Sequence, residues 1–249
     1  MTAPAPTPRA GYLAASRAPR YSILFVLPLL VAYEVLAALE PATRTGSIRN
    51  GADVILESAF TALAGRWGPL AFLATLIGIG VWLVIRDRRN GTVRPALFAV
   101  MLLEAAVLAV LFGLGVGAVT SQLVRPPMAI GALAQGIESL PLHTQVVVAL
   151  GAGIYEELLF RVVLVSGLAW FFQRVLGFGS VSSDAGAVLL GALIFSAFHY
   201  IGPYGEPLAL YSFIFRTVAG LFFSAIYVVR GFGIVAWTHS LYDLFLLLY

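Results

Sequence analysis

Long apolar runs separated by short polar segments dominate the hydrophobic pattern of this chain. A helix needs about 20 predominantly apolar residues to cross the hydrocarbon core of a bilayer. Seven runs approach or exceed that length, namely Tyr21–Leu39, Pro69–Ile85, Pro95–Val119, Thr144–Phe172, Ala185–Ile201, Leu208–Val229 and Gly231–Leu248. The pattern therefore predicts an all-α fold, a polytopic transmembrane helical bundle with about seven to eight spanning helices.

Two regions depart from this simple pattern. The segment Gly51–Trp67 is more amphipathic than the seven runs. It could therefore lie at the membrane interface, re-enter the membrane, or form an eighth short span. The run Thr144–Phe172 is long for a single crossing, which is compatible with a tilted helix or with a break near Gly167.

The N-terminal segment differs in composition from the rest of the chain. Residues 1–20 contain four prolines, three arginines and no acidic residue. We expect these residues to form a disordered basic leader and residues 21–249 to form a single transmembrane domain. The first apolar run extends to Leu39 and further runs follow, so we expect an uncleaved first helix rather than a signal peptide.

Composition supports an integral membrane protein and excludes several other classes. Hydrophobic residues make up 60% of the chain and charged residues only 11%, whereas a soluble domain is about 25% charged. The net charge of +3 is small and scattered, so we expect no nucleic-acid partner. The absence of cysteine excludes disulfides and thiol nucleophiles. No feature of the sequence predicts an oligomeric state.

The arginines indicate an orientation in the membrane. In a bundle of seven spans, one side would carry nine of them, Arg9, Arg17, Arg20, Arg86, Arg88, Arg89, Arg94, Arg174 and Arg230. The other side would carry four, Arg44, Arg49, Arg66 and Arg125. Cytoplasmic loops are enriched in basic residues. We therefore expect a cytoplasmic N-terminus and an external C-terminus, unless Gly51–Trp67 also crosses.

Ionisable residues within the apolar runs are few, and they are candidates for function. Burying a charge at the bilayer centre costs about 2.5–3.5 kcal/mol on insertion scales. The residues concerned are Glu34, Glu104, Glu156, Glu157, Arg161, His199, Arg216, His239 and Asp243. Glu104 and Arg216 are expected to be structural partners of other buried charges.

The motif YEELLFR, residues 155–161, concentrates three of these charges. Glu157 and Arg161 are four residues apart and can form an ion pair on one helix face. Glu156 points about 100° away and has no partner on its own helix. A desolvated carboxylate of this kind is suited to take a proton from water. Alternatively, the three charges could serve only to hold helices together.

Two later motifs bring histidines into the apolar runs. In FSAFHY, Phe195 and His199 are one helical turn apart, although a histidine at a helix end can also be a capping or surface residue. In HSLYD, His239 and Asp243 share a helix face. That spacing can orient an imidazole and can equally bind a metal.

These motifs, EExxxR, FxxxH and HxxxN/D in that order, resemble those of the CAAX prenyl protease and bacteriocin-processing (CPBP, or abortive-infection) family of intramembrane endopeptidases. The resemblance covers roughly residues 144–249. It implies that Glu156 is the general base for the attacking water and that His199 holds this water.

The resemblance also assigns the remaining motif residues. Glu157 and Arg161 would form a supporting pair, with Phe195 as a further supporting residue. His239 and Asp243 would polarise the scissile carbonyl and stabilise the oxyanion. The implied substrate is a membrane-anchored protein or peptide.

Asp243 is a departure from the prenyl-processing members, which carry asparagine at this position. An ionised aspartate cannot donate a hydrogen bond to an oxyanion, so Asp243 would instead orient His239 or keep it protonated. This difference puts a prenylated substrate in doubt. A bacterial role in protein maturation, sorting or immunity fits better, and we expect the protein in a bacterial inner membrane.

Three alternatives remain open at this point. Glu156, His199 and His239 could bind zinc, but no HExxH pair is present, and we favour a glutamate mechanism without a cofactor. The chain could also be a non-catalytic scaffold or immunity protein that retains the motif for packing. A proton-coupled transporter is less favoured, because the sequence contains no inverted repeat.

Overall fold

α-Helices make up most of the structure, a computed structural model that describes residues 11–40, 48–125, 140–202 and 205–248. None of these residues is in a β-strand, and the predicted all-α helical bundle is confirmed. The helices are α1 Tyr12–Arg17, α2 Pro19–Leu39, α3 Gly51–Ala64, α4 Gly68–Asp87, α5 Ala96–Leu123, α6 Leu142–Gly151, α7 Ser166–Arg174, α8 Ser180–Phe198, α9 Leu210–Arg230 and α10 Phe232–Leu246.

Five helical segments of the described residues are long and apolar enough to cross a membrane. They are Pro19–Leu39, Gly51–Asn90, Ala96–Leu123, Ser180–Phe198 and Leu210–Arg230. Helix α10 has 15 residues and is about 22 Å long, which is less than the bilayer core of about 30 Å. The predicted final span is therefore shorter than its apolar run suggests.

The fourth predicted run forms one continuous helical rod from Leu142 to Arg174. Between α6 and α7 the rod contains two π-helical segments, Ala152–Glu156 and Leu158–Val165. The rod is helical at Gly167, so it has no break there. π-Helical turns are rare and occur frequently at functional sites. Here they carry the EExxxR motif.

The amphipathic segment Gly51–Trp67 forms a hairpin with α4 rather than a separate span. Gly65 has a φ of 56°, a left-handed conformation that glycine adopts without steric cost, and the chain reverses there. Helix α3 packs against α4, and its 14 residues are about 21 Å long. That is too short to cross the bilayer core alone.

The disordered leader predicted for residues 1–20 is wrong from Tyr12 onward. Tyr12 begins α1, and Pro19 is at the first position of α2, where proline is favoured. Contacts with distant helices hold α1 in place, because Arg230 of α9 donates a 2.8 Å hydrogen bond to the Ser16 hydroxyl oxygen. The composition of the leader does not reveal such contacts. Residues 1–10 lie outside the described residues.

The start of α2, the end of α4 and the start of α10, each of which lies beside an arginine, meet at one end of the bundle. Arg20 at the start of α2 forms a 2.8 Å ion pair with Asp87 at the end of α4. The hydroxyl of Ser22 accepts a 2.7 Å hydrogen bond from the backbone N–H of Gly233, at the start of α10. This grouping agrees with the predicted sidedness of the arginines, while the orientation of the bundle in the membrane stays a prediction.

A close approach between the rod and α10 positions the candidate site. A Cβ atom on Gly153 would lie 2.1 Å from Ser240 Oγ and 2.3 Å from the backbone oxygen of Ala236. Real Cβ atoms essentially never come so close to other atoms, so only glycine fits. The two helix backbones are therefore nearly in contact one turn before Glu157.

Candidate active site

The two adjacent glutamates of the rod face different partners in the bundle interior. Glu156 is 6% exposed and Glu157 is fully buried. Because neighbouring helical residues point in different directions, the two carboxylates contact different groups. They accordingly take different parts in the site.

The Glu157 carboxylate contacts two side chains, Arg161, which is cationic, and His239, which is cationic when protonated. The predicted pair with Arg161 is present, with 3.2 Å between Arg161 Nε and Glu157 Oε2. In addition, His239 Nδ1 lies 2.7 Å from Glu157 Oε1, a contact that the sequence did not predict. Buried charges require such pairing, because an unpaired one is strongly destabilising. Glu157 thus ties α10 to the rod.

Arg161 is enclosed by aromatic rings. Its guanidinium lies 4.4 Å from the ring centroid of Phe195 in α8 and 5.3 Å from that of Phe223 in α9. Cations are attracted to the faces of aromatic rings. The predicted supporting residue Phe195 therefore contacts the predicted supporting cation, and Phe223 is an aromatic partner that the motifs do not include.

His239 has a carboxylate near each of its two ring nitrogens. Nδ1 faces Glu157, and Nε2 lies 3.6 Å from Asp243 Oδ2 on the same helix. The ring also stacks on Phe223 with 4.1 Å between centroids. An imidazolium has two N–H donors, so a protonated His239 directs one N–H to Glu157 and the other toward Asp243. Nε2 is the nitrogen with room for a further partner, because 3.6 Å exceeds hydrogen-bonding distance.

Glu156 lies between α3 and α8. Its Oε1 accepts a 2.9 Å hydrogen bond from Asn50 Nδ2. Its Oε2 lies 3.9 Å from His199 Nε2. The carboxylate also interacts electrostatically with His239 and Arg161. The structure therefore brings the first glutamate of the motif close to His199, the histidine of the second motif.

The tautomer of His199 follows from its other contact. Nδ1 lies 2.8 Å from the backbone oxygen of Phe195, and a carbonyl oxygen can only accept, so Nδ1 carries a proton. In the neutral ring, Nε2 is then an acceptor that faces the Glu156 carboxylate. Two acceptors at this separation are suited to bind one molecule that donates two hydrogen bonds.

His199 lies at the end of the bundle away from Arg230. The hydroxyl of Ser196, near the end of α8, donates a 2.7 Å hydrogen bond to the backbone oxygen of Phe213, near the start of α9. Arg230 is at the other end of α9. The His199 side chain is 25% exposed while that of Glu156 is 9% exposed. Access to the pair is therefore from the side of His199.

Asn50 belongs to this site although the motifs did not indicate it. It immediately precedes α3, and its side chain caps that helix by accepting from the backbone N–H of Ala52. An asparagine before an amphipathic segment is a recognisable helix-start pattern. The cap could thus have been predicted, but the contact with Glu156, 106 residues away, could not.

Among the described residues, no group of three or more His, Cys, Asp or Glu side chains is arranged to hold a metal ion. The alternative zinc ligands predicted from the sequence were Glu156, His199 and His239. One nitrogen of His239 is already engaged by Glu157, which leaves only Nε2 of that ring to bind a metal.

The other buried charges have structural partners elsewhere. Glu104 of α5 accepts a 2.8 Å hydrogen bond from Arg230 at the end of α9. Arg216 of α9 pairs with Glu206 and donates a 3.3 Å hydrogen bond to the hydroxyl of Tyr200. Both pairings agree with the structural role expected for these residues.

The chain is thus a membrane-type helical bundle with a cluster of acids and histidines in its interior. Residues 138–245 match a family model described as "Rce1-like: Type II CAAX prenyl endopeptidase Rce1-like". Neither the curated proteins nor the solved structures gave a match. Residues 138–245, less than half of the chain, are therefore similar to the Rce1-like family. The match confirms the resemblance to CAAX proteases over that range and supports a protease.

Proposed function

We propose that this protein is an intramembrane endopeptidase in which Glu156 activates the attacking water with the help of His199. The observation that carries the proposal is the 3.9 Å separation of Glu156 Oε2 and His199 Nε2. Two hydrogen bonds of about 2.8 Å each can span this separation through one water. Such a water would donate one proton to each acceptor and keep its lone pairs for attack.

The reaction steps follow from the positions of these groups. Glu156 takes a proton from the water as the oxygen bonds to the scissile carbonyl carbon. The carbonyl oxygen becomes an oxyanion, to which the imidazolium of His239 donates from Nε2. The tetrahedral intermediate then expels the amide nitrogen, which receives the proton held by Glu156. The products are a carboxylic acid and an amine, which exchange a proton in water to become a carboxylate and an ammonium group.

Asp243 and Glu157 would act through His239 in this mechanism. Two carboxylates favour the doubly protonated ring, so His239 can donate although Asp243 itself cannot. Arg161 balances the second charge of Glu157. Each ionisable residue of the three motifs thus has a role in the proposed mechanism that agrees with its contacts.

The mechanism requires no metal, and chelators test this feature. We expect activity in detergent or nanodiscs to be unchanged after treatment with EDTA and 1,10-phenanthroline. Loss of activity on chelation and recovery on addition of zinc would contradict the proposal and favour the zinc alternative.

The proposed substrate is a membrane-anchored protein or peptide without a prenyl group, since Asp243 replaces the asparagine of prenyl-processing members. Two matched fluorogenic peptides discriminate the possibilities, one farnesylated near its C-terminus and one anchored by an apolar segment. Faster cleavage of the second is expected. Preference for the farnesylated peptide would overturn this part of the proposal.

The central test is Glu156→Gln, which keeps the side-chain shape but removes the base. General-base catalysis contributes about 100- to 10,000-fold, so cleavage of either peptide should fall by at least about 100-fold. Glu40→Gln is a suitable control, because Glu40 lies at the end of α2 and contacts Thr144. Retained activity in Glu156→Gln would show that Glu156 is not the base.

A non-catalytic scaffold predicts a different outcome for Glu156→Ala. If Glu156 serves packing alone, its removal leaves Asn50 Nδ2 without its acceptor and lowers the melting temperature. A large drop in melting temperature, with no cleavage by either the variant or the unmodified protein, would favour the scaffold. Cleavage by the unmodified protein that is lost in Glu156→Ala is expected for the enzyme, whatever the change in melting temperature.

A further inference from the structure

Asn50 contributes to the candidate site from outside the residues that match the family. It is 3% exposed and precedes α3, whereas the family match begins at residue 138. Its Nδ2 donates a 2.9 Å hydrogen bond to Glu156 Oε1. One oxygen of the proposed base is therefore engaged by an uncharged donor from the N-terminal half of the chain.

The orientation of the Asn50 amide is determined by its second hydrogen bond. Oδ1 accepts a 2.9 Å hydrogen bond from the backbone N–H of Ala52. With the amide reversed, Oδ1 would face the Glu156 carboxylate and Nδ2 would face an N–H group. Both contacts would then be unfavourable, so Nδ2 is the atom that faces Glu156.

A network of buried polar side chains holds the backbone of Asn50. The Tyr33 hydroxyl oxygen accepts a 3.3 Å hydrogen bond from the Asn50 N–H and donates a 2.6 Å hydrogen bond to Asp53 Oδ2. Asp53 also accepts a 2.6 Å hydrogen bond from Arg49 Nε. The residues on either side of Asn50 are thus fixed, and its side chain has little freedom to leave Glu156.

The rod itself is shaped to admit Asn50. A Cβ atom on Gly151 would lie 2.6 Å from the Cβ of Asn50 and 2.6 Å from Cε2 of Tyr33. Only the absence of a side chain lets these two residues approach the rod. Because Gly151 lies just before the segment that carries Glu156, this contact brings the amide within reach of the carboxylate.

Asn50 carries no charge, unlike the other described residues that interact electrostatically with the Glu156 carboxylate. The charged and titratable groups that interact electrostatically with the carboxylate are His199 beside α8, His239 and Asp243 of α10, and Arg161 of the rod. A hydrogen bond to a carboxylate favours its charged form. The Asn50 amide therefore stabilises the same carboxylate with which the histidines interact. Unlike a histidine, it cannot take up the proton that Glu156 accepts from water.

We propose that Asn50 is a positioning residue for the base. It holds Oε1 so that Oε2 faces His199, and it favours the ionised carboxylate that takes the proton from water. The inference rests on the proposed function of Glu156. It adds that a residue of the N-terminal half of the chain contributes to the pH range in which the base operates.

The test measures the ionisation of Glu156 without relying on catalysis. Dicyclohexylcarbodiimide is an apolar reagent that reacts with protonated carboxyl groups, and mass spectrometry of the full-length protein in nanodiscs quantifies its attachment to Glu156 at each pH. In Asn50→Ser, serine still caps α3 but is too short to reach Glu156. The labelling midpoint should move to higher pH by about one unit, because the charged form has lost a donor.

Asn50→Asp provides a second, matched variant. Aspartate caps a helix as well as asparagine does, but it offers no N–H donor and adds a like charge near Glu156. The midpoint should therefore move further than in Asn50→Ser. Labelling of Glu104, which pairs with the distant Arg230, should be unchanged in both variants and serves as the internal control. If Asn50→Ser does not fold, Asn50→Asp gives the same measurement.

The outcomes separate this inference from the proposed function. Coincident labelling midpoints in the unmodified protein and the folded variants would overturn the role of Asn50, even if Glu156→Gln is inactive. Retained cleavage in Glu156→Gln would instead overturn the proposed function, whatever the midpoints. In the activity assay, Asn50→Ser should move the acid limb of the pH–rate profile in parallel with the labelling and change kcat more than KM.

Discussion

At the scale of single residues, the division of work between Glu156 and Glu157 depends on their partners. Glu157 is fully buried between Arg161 and His239, and its charge is compensated. Glu156 has an uncharged donor on one oxygen and a histidine 3.9 Å from the other. Identical side chains thus acquire different chemistry from their surroundings, and the less compensated one is the proposed base.

The substitution Asp243→Asn tests whether Asp243 acts through His239. Removing the negative charge beside Nε2 makes the imidazolium easier to deprotonate. The alkaline limb of the pH–rate profile, along which activity falls as pH rises, should therefore move to lower pH by about one unit. The profile of cleavage between about pH 5 and 10, covering the usual range of a histidine, is the measurement.

A gain of activity in Asp243→Asn would contradict that prediction. It would show that an amide at this position donates directly to the oxyanion, as the asparagine of prenyl-processing members is expected to do. His239→Gln is the companion variant. It should lose most activity in both the aspartate and the asparagine background if His239 is the donor.

The sequence predicted the local part of this site and missed the long-range part. Spacing of four residues is enough to pair Glu157 with Arg161, and that ion pair is present. Spacing also paired His239 with Asp243, yet the shorter contact of His239 is with Glu157, 82 residues earlier in the chain. No periodicity encodes such a distance, because it depends on how closely two helices pack.

At the scale of the elements, glycines set the helix–helix distances on which the site depends. Gly153 lets the rod approach α10, and Gly151 lets Asn50 and Tyr33 approach the rod. Small residues at helix interfaces are typical of membrane bundles, where close backbone approach provides the packing energy. The π-helical segments lie in the same stretch of the rod.

Gly153→Ala should disrupt the site through packing alone. The new methyl group would meet the backbone of Ala236, which cannot rotate away as a side chain can, so the rod and α10 must separate. Overpacking of this kind costs about 1–3 kcal/mol, and the Glu157–His239 contact should lengthen. We expect a lower melting temperature in detergent and at least about a tenfold loss of cleavage.

Gly167→Ala is the matched control on the same rod. A methyl group added at Gly167 would have no neighbouring atom within 4 Å, and alanine favours a helix more than glycine does. Stability should be unchanged or slightly higher, with activity retained. Equal losses in the two variants would show that the rod tolerates no added volume anywhere and that the close approach at Gly153 has no special importance.

The positions of the apolar helices were largely predictable, whereas their geometry was not. Hydrophobic runs located α2, α4, α5, α8 and α9 to within a few residues. The hairpin at Gly65 and the π-helical segments depend on backbone conformations that hydropathy does not record. The helical structure of residues 12–17 depends on contacts with α5 and α9.

At the scale of the whole molecule, a polar clamp joins α1, α5 and α9 at the arginine-bearing end. Arg230 donates to Glu104 and to Ser16, and the Tyr12 hydroxyl also donates to Glu104. Burial and the neighbouring Glu104 carboxylate raise the pKa of Tyr12 to about 12, so Tyr12 remains a donor at physiological pH. The clamp closes the bundle at the end away from His199.

Glu104→Gln should weaken this clamp without touching the chemistry. Removing one partner of a mostly buried ion pair leaves the Arg230 guanidinium uncompensated, at a cost of about 3 kcal/mol. The melting temperature should fall, while kcat measured well below it stays near that of the unmodified protein. Asp184→Asn is the control, because Asp184 is exposed and surface substitutions usually change stability by less than about 0.5 kcal/mol.

The hydrogen bond between Asn50 and Glu156 has a consequence for how related chains are grouped. A survey that collects genes by EExxxR, FxxxH and HxxxN/D inspects only the later half of each product. Chains with identical motifs but without an amide at the start of the third helix would enter the same group. Under the role proposed for Asn50, the first glutamate of those chains would lack this donor and ionise at a higher pH, so such a catalogue would merge enzymes with different pH profiles.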